Sequence, residues 1–327
     1  MKEVALKVTA ILLLLFAHTA HAQEKSAVKE DFAFPSDGSA IILVFRPDIS
    51  VGRQSTGGVN EPSVEWTETA RRLLTNELIN ADVTKQHQFV FLPEYQGAEG
   101  ELINDYQNLF QAVTFSVVQH KLFSGNRLPT KKRMSSLDWS LGEGTQQLAD
   151  LGGGDYALFF YTYDSYGSAG RKAAQAVGML GCIIGVCVPI SAGVHTGYAG
   201  LVDLKTGDLV WVNADLEMGG DVRELEGAQK RVAQLLEDFP LPAPGTEGDV
   251  TVIDPITGQR VPYDPAVHDS MIGIDPVKGG DSVGSEDATE KLEDATVSDI
   301  EEPIATPAPE SAAEPAGEIG SDGTNDN

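Results

Sequence analysis

Thirty consecutive residues, Ala173 to Val202, carry no Asp, Glu, Lys or Arg in a chain whose formal net charge is -26. Exposed apolar surface costs roughly 25 cal/mol per Å² in water, so such a run is buried in protein or in lipid. Strand-like stretches border and enter it, Asp155–Asp164 before and Thr196–Asn213 behind. Whichever solvent covers the run decides what kind of protein this is.

Ala173–Gly193 is long enough for a membrane span, and Gly178, Gly181 and Gly185 would give a helix a small-residue face. The flanks oppose that reading. A stop-transfer helix behind a cleaved leader carries its Lys/Arg on the carboxyl side, whereas here Arg171-Lys172 precede the run and Asp203 follows it. Pro189 and the glycines weaken a helix, and Ala176-Val177-Gly178-Met179-Leu180-Gly181 lacks the alternation of a membrane β-hairpin. We therefore expect an apolar crossover over 173–195, folded against the sheet or against a second subunit.

Lys2 and Lys7, the apolar run Val8–Phe16 and the small-x-small site Ala20-His21-Ala22 read as a secretory signal peptide over 1–22. No Cys follows the cleavage site to take a lipid. The expectation is an exported, periplasmic protein, soluble unless a later segment anchors it, with peripheral membrane contact left open. Residues 23–33 read as a linker.

The charge is concentrated at the carboxyl end. Leu241 to Asn327 holds 20 acidic residues against three basic ones, a net of -17. Residues 241–278 read as an extended Pro/Gly/Asp-rich segment. Beyond that, 279–327 has too few large apolar residues to offset the entropy of ordering, and is expected to be a disordered acidic tail. It contains no Ca²⁺-loop pattern.

The folded body is expected over 34–240. Ser39–Phe45 is a continuous apolar run closed by Pro47, as in a strand buried on both faces, and a polar loop to Pro62 follows. Trp66, Ala70, Leu73, Leu74 and Leu78 have helical spacing. Gln88–Leu92 reads as a strand, and Leu102 to Val117 as a longer helix ending near Lys121. Gly144–Leu151 is a short helix stopped by three glycines, ahead of a Tyr/Phe-rich strand from Asp155. Tyr198–Leu204 and Asp208–Asn213 form a hairpin turned by Asp203, Thr206 and Gly207, with Trp211 on its return strand. A last helix opens at Asp221, with Glu224 reaching back, and buries Leu225, Ala228, Val232, Leu235, Leu236 and Phe239. The order β-α-β-α-α-β, hairpin, α is an α/β (α+β) fold, a mixed β-sheet with helices packed on it.

This order, with Asp155-Tyr156-Ala157-Leu158-Phe159 and the hairpin Gly200–Trp211, resembles a group of bacterial envelope proteins. They include the curli-secretion lipoprotein family and the N-terminal domain of the TolB family. The loop Gly52–Pro62 and the run Gly125–Arg133 are similar to secreted proteins of Alphaproteobacteria, a likeness that brings no activity with it. The resemblance implies envelope assembly or scaffolding rather than catalysis, through an envelope protein or self-association. The chain departs from the group in its long acidic tail and the missing lipid-accepting Cys.

Candidate chemistry is sparse. Cys182 and Cys187 invite a disulfide in an oxidising compartment, but five residues of helix would point them apart, so a bridge requires a turn near Gly185. Buried thiols are the other structural reading, and Cys-x-x-Cys redox spacing is absent. His87, His120, His195 and His268 have no ligand-like spacing, so neither a metal nor another cofactor is expected. Ser165, Ser168 and Ser191 lack a nucleophile elbow, and Gly52–Gly58 lacks the Gly-Lys-Ser/Thr ending of a phosphate loop. Arg127, Lys131, Lys132 and Arg133 form a basic cluster that fits an anionic membrane or glycan surface, or a plain solvated loop; nucleic acid is excluded by compartment and charge. The alternative to a scaffold is a small-ligand-binding protein or hydrolase using loops 52–62 and 164–170, with Asp48, Glu61 and Asp164 as its acids.

Overall fold

The computed structural model describes residues 25–123, 126, 137–183, 191 and 193–269, without the side chains of 179–183. Its strands are β1 (Ser26–Val28), β2 (Ile41–Val44), β3 (Asp48–Gln54), β4 (Asn60–Pro62), β5 (Gln88–Phe91), β6 (Tyr156–Gly167), β7 (Gly193–Asp203), β8 (Leu209–Asp215), β9 (Asp249–Ile253) and β10 (Arg260–Pro262). The helices are α1 (Val64–Ile79), α2 (Gly97–Val117), α3 (Gln146–Ala149), α4 (Ala169–Ile183), α5 (Leu225–Leu235) and α6 (Pro265–His268). The expected mixed α/β fold is the one observed.

All ten strands join one sheet, ordered β1-β8-β7-β6-β2-β5-β9-β10, with β3 and β4 attached beside the far half of β6. The central strands β2, β5 and β9 run parallel to one another, and β6–β7–β8 is an antiparallel meander. Alternation along each strand divides the core in two. On one face α1 and α5 pack Ala70, Leu74, Leu78, Ala228, Val232 and Leu235 against Ile42, Val44, Leu158, Leu201 and Trp211. On the other, α2 brings Phe110 onto Phe159, which stacks in turn on Phe45, with centroids 5.2 and 5.3 Å apart.

Four stretches depart from expectation. The polar loop before Pro62 is a strand pair: β3 lies parallel to β6 from Asp48↔Tyr161 to Gln54↔Gly167 and returns as β4. Pro47 interrupts the line rather than ending it, because proline cannot donate to a ladder but the chain beyond it can pair again. Ile49 and Val51 then bury on one face. Second, the sheet continues past Pro240, where β9 adds parallel to β5 through Gln88↔Asp249 to Phe91↔Val252, and β10 folds back on it. Third, at the other edge, β1 lies within the 23–33 stretch and pairs with β8. Fourth, α5 starts at Leu225 instead of Asp221, with Glu224 at its N-cap making no side-chain capping bond. Asp221 is held elsewhere, by the backbone N–H and the guanidinium of Arg223.

The β7–β8 hairpin is built from the residues named for it. Asp203 Oδ1 accepts from the N–H groups of Lys205 and Thr206 at 2.8 and 3.1 Å, and Thr206 Oγ1 accepts from Asp208 N–H. Gly207 has φ +77°, and a Cβ there would lie 2.1 Å from the Gly142 carbonyl oxygen. Trp211 is fully buried, edge-on to Phe239 at 5.0 Å.

Candidate functional site

Strands β6 and β7 form a long ribbon, paired from Tyr156↔Asp203 to Tyr166↔Gly193. Its near half belongs to the central core, and its far half runs on beside β3. The α4 helix follows at the tip, where Ser168 Oγ accepts from Arg171 N–H at 3.3 Å and starts the first turn. Arg171 ties the helix down: its Nε donates to the Ser191 carbonyl at 2.6 Å and its Nη1 to the Thr56 carbonyl at 3.4 Å. Beyond these anchors Lys172, Ala173, Ala176 and Val177 are exposed, Val177 at 68%, while Gly178 is buried. The start of the uncharged run is therefore helical, with one side of residues 173–177 open to solvent.

At the base of this far half lies a charged cluster inside the protein. Asp164 and Arg231 are both fully buried. Arg231 Nη1 donates to Asp164 Oδ2 and Nη2 to Oδ1, each at 2.7 Å, a bidentate pair. Thr162 Oγ1 donates to Oδ2 at 2.9 Å, and His195 Nδ1 lies 2.8 Å from Oδ1. Burial pushes the Asp164 carboxyl up, but the hydrogen bonds from His195 and Arg231 and the Arg231 charge outweigh it, so the group lies below the ordinary carboxylate range. The ionised carboxylate fixes the tautomer of His195 with the proton on Nδ1. Nε2 then looks away from Asp164, on a side chain that is 28% exposed.

Aromatic and cationic side chains wall this cluster. The Tyr166 ring packs on His195 at 4.8 Å, and its hydroxyl accepts from Val222 N–H at 3.0 Å. Burial, with the nearby charges of Asp164 and Asp221, pushes that phenol far above its ordinary range. Arg223 is sandwiched between the Trp66 and Tyr166 rings, 4.2 and 4.1 Å from their centroids, and Arg53 lies 5.4 Å from Trp66. These cation–π contacts lock the 216–224 loop to the first turn of α1 and the end of β6.

An Asp–His pair is half of a general-base relay, but the serines considered for the other half are engaged structurally. Ser165 Oγ donates to Asn60 Oδ1, Ser168 caps α4, and Ser191 Oγ donates to the Gly193 carbonyl. The three suspected acids are not brought together. Asp164 faces α5, Asp48 lies on the opposite face where Gln111 of α2 donates to it, and Glu61 is exposed on β4 across from Arg53. The histidines are likewise dispersed: His87 Nε2 donates to the Pro240 carbonyl, His268 Nδ1 accepts from Asp264 N–H, and His120 Nδ1 donates to the Asn126 carbonyl. Among the described residues no group of three His, Cys, Asp or Glu is placed to hold a metal ion.

Arg127, Lys131, Lys132, Arg133 and Cys187 lie outside the described residues, as does the side chain of Cys182. Sequence reasoning missed Arg231, although an arginine inside the Ala228–Val232–Leu235 stripe was a visible signal of a buried partner. His195 gave no such signal, because its cross-strand pairing with Asp164 depends on a register set across much of the uncharged run. No family model, curated protein or solved structure matches this chain.

Proposed function

We propose that the chain is an exported periplasmic protein without catalytic activity, acting as a scaffold or assembly module whose contact element is α4. The observation that carries this reading is the outer side of that helix, where Ala173, Ala176 and Val177 are exposed at the tip of a long ribbon. Copies of the chain repel one another through its net charge of -26, and the residues from Ala173 onward add no negative charge to that repulsion until Asp203. Among the described residues no helix is long and apolar enough to cross a membrane. A hydrolase acting through 52–62 and 164–170 is disfavoured by the placement of Asp48 and Asp164 on opposite faces of the sheet.

Size-exclusion chromatography with light scattering on the processed chain, alone and with envelope extract, tests the proposal. The expected result is a species larger than one chain that Ala176→Glu reduces to a monomer. A monomer under both conditions, unchanged by the substitution, would overturn it.

A further inference from the structure

A cleft of about 250 Å³ lies at the carboxyl ends of the parallel strands β2 and β5. Arg46, Asp48, Arg71, Glu94, Tyr95 and Gln107 are among the residues that line it. In parallel α/β sheets this edge is where ligands bind, because loops diverge there and helix N-termini point toward it. Here the first turn of the 21-residue helix α2 borders the cleft through Gly100, and its N-cap, Gln96, makes no side-chain capping bond. The backbone N–H groups of that turn favour negative charge.

Beside the cleft, two guanidinium groups converge on one carboxylate. Arg46 Nη2 donates to Glu68 Oε2 at 3.1 Å, and Arg71 Nη1 donates to Glu68 Oε1. The two arginines are held independently of that carboxylate. Arg71 is 13% exposed and also donates to the carbonyls of Pro47 and Ile49, while Arg46 pairs with Glu94 through its other arm. Glu68 is the more exposed partner, 55% exposed on the surface of α1. Among the described residues the buried Nε of Arg46 has no hydrogen-bond partner. A planar fork of donors matches an oxyanion better than it matches any other ligand group.

We propose that this cleft binds a small molecule bearing a carboxylate or phosphate, whose acid group displaces the Glu68 carboxylate from between Arg46 and Arg71. Glu68 is then an internal stand-in that occupies the clamp when the ligand is absent. The volume lies below the usual range for drug-sized ligands, which restricts the occupant to a compact metabolite. Asp48 gives one oxygen to Gln111, and its other oxygen is an acceptor for a hydroxyl or amine at the far end of the same molecule. This site is independent of α4 and of the role proposed for it.

Calorimetric titration of the full processed chain with inorganic phosphate, and separately with succinate, tests the site. Removing the competing carboxylate in Glu68→Gln is expected to tighten binding of one or both anions by about tenfold, equivalent to ~1.4 kcal/mol. Arg71→Gln in that background is expected to abolish the gain, with circular dichroism reporting that the fold is kept. Arginine Nε–H resonances read the same contact without variants that disturb folding: those of Arg46 and Arg71 should shift on titration of Glu68→Gln. Phosphate alone, or succinate alone, producing these effects supports the site and names the class of acid. No heat and no shift with either anion at tens of millimolar overturns it, as does equal binding by Glu68→Gln with and without Arg71.

Discussion

Asp164 and Arg231 meet through two parallel hydrogen bonds of 2.7 Å, with both side chains shielded completely from water. Strand β6 and helix α5 are joined across the core by this one ionic contact. A buried pair gives little net stability over an apolar pair of the same shape, but breaking it strands a charge. Arg231→Met should therefore cost about 3–5 kcal/mol, and the double change Asp164→Leu with Arg231→Met should recover most of that loss. Urea unfolding of the two variants beside the parent measures the difference.

Acid should weaken the fold in two stages. His87 is buried between the Phe34 and Phe239 rings, and desolvation lowers its pKa to about 4, against the opposing bond to Pro240. Between the ordinary histidine value and about 4 the unfolded chain takes a proton that the folded chain refuses. Stability therefore falls over that window, by up to about 3 kcal/mol, and is unaffected by this group above it. Asp164 acts below: its carboxyl is depressed in the fold, so its contribution is complete above the unfolded value of roughly 3.9 and is lost as pH falls through the folded one. If the first stage belongs to His87, the unfolding midpoint of His87→Phe should gain on that of the parent as pH falls from the ordinary histidine value to about 4, with the variant showing the flatter profile from pH 7 downward.

Gly207→Ala and Gly153→Ala should separate two costs that glycine avoids. Both positions have positive φ, +77° and +64°. At Gly153 the nearest atom to a new Cβ is the end of the Arg260 side chain at 3.8 Å, so the expected loss is only the roughly 1 kcal/mol of backbone strain. At Gly207 the Cβ meets the Gly142 carbonyl, and the β7–β8 turn must open. Thermal melting should show the Gly207 variant as much the less stable of the two.

Arg223 should be irreplaceable by lysine. Its guanidinium fills the gap between Trp66 and Tyr166 while pairing with Asp221 through two bonds. Arg223→Lys keeps the charge but loses the flat stack and the fork, and is expected to destabilise by about 1–2 kcal/mol, nearly as much as Arg223→Ala. Chemical denaturation of the two variants settles whether stacking or charge holds the loop.

Much of the architecture was legible because it rests on local patterns. The stripe from Ala70 to Leu78, the Tyr/Phe-rich strand at Asp155 and the Asp203–Gly207 turn each declare their structure within a few residues. The strand Asp48–Gln54 was hidden by Pro47, which reads as an ending when taken alone, although Ile49 and Val51 alternate with polar neighbours. Strand β9 was hidden by the acidic, Pro-rich composition around it; only the exposed side of β5 gives Val250 and Val252 somewhere to go. The two charged clusters were the least visible. Asp164, His195 and Arg231 come from three separate elements, and Arg46, Glu68 and Arg71 converge only once α1 is laid beside the end of β2.

The central claim is that α4 is a contact surface, and site-specific photocrosslinking in cells tests it most directly. A benzophenone side chain would be placed at Val177 and, as a control, at Ile256, which is also apolar and is 87% exposed. The account predicts a discrete high-mass adduct from Val177, lost when Ala176→Glu is added, and none from Ile256. Adducts of equal yield from both positions, or none from Val177, would contradict it.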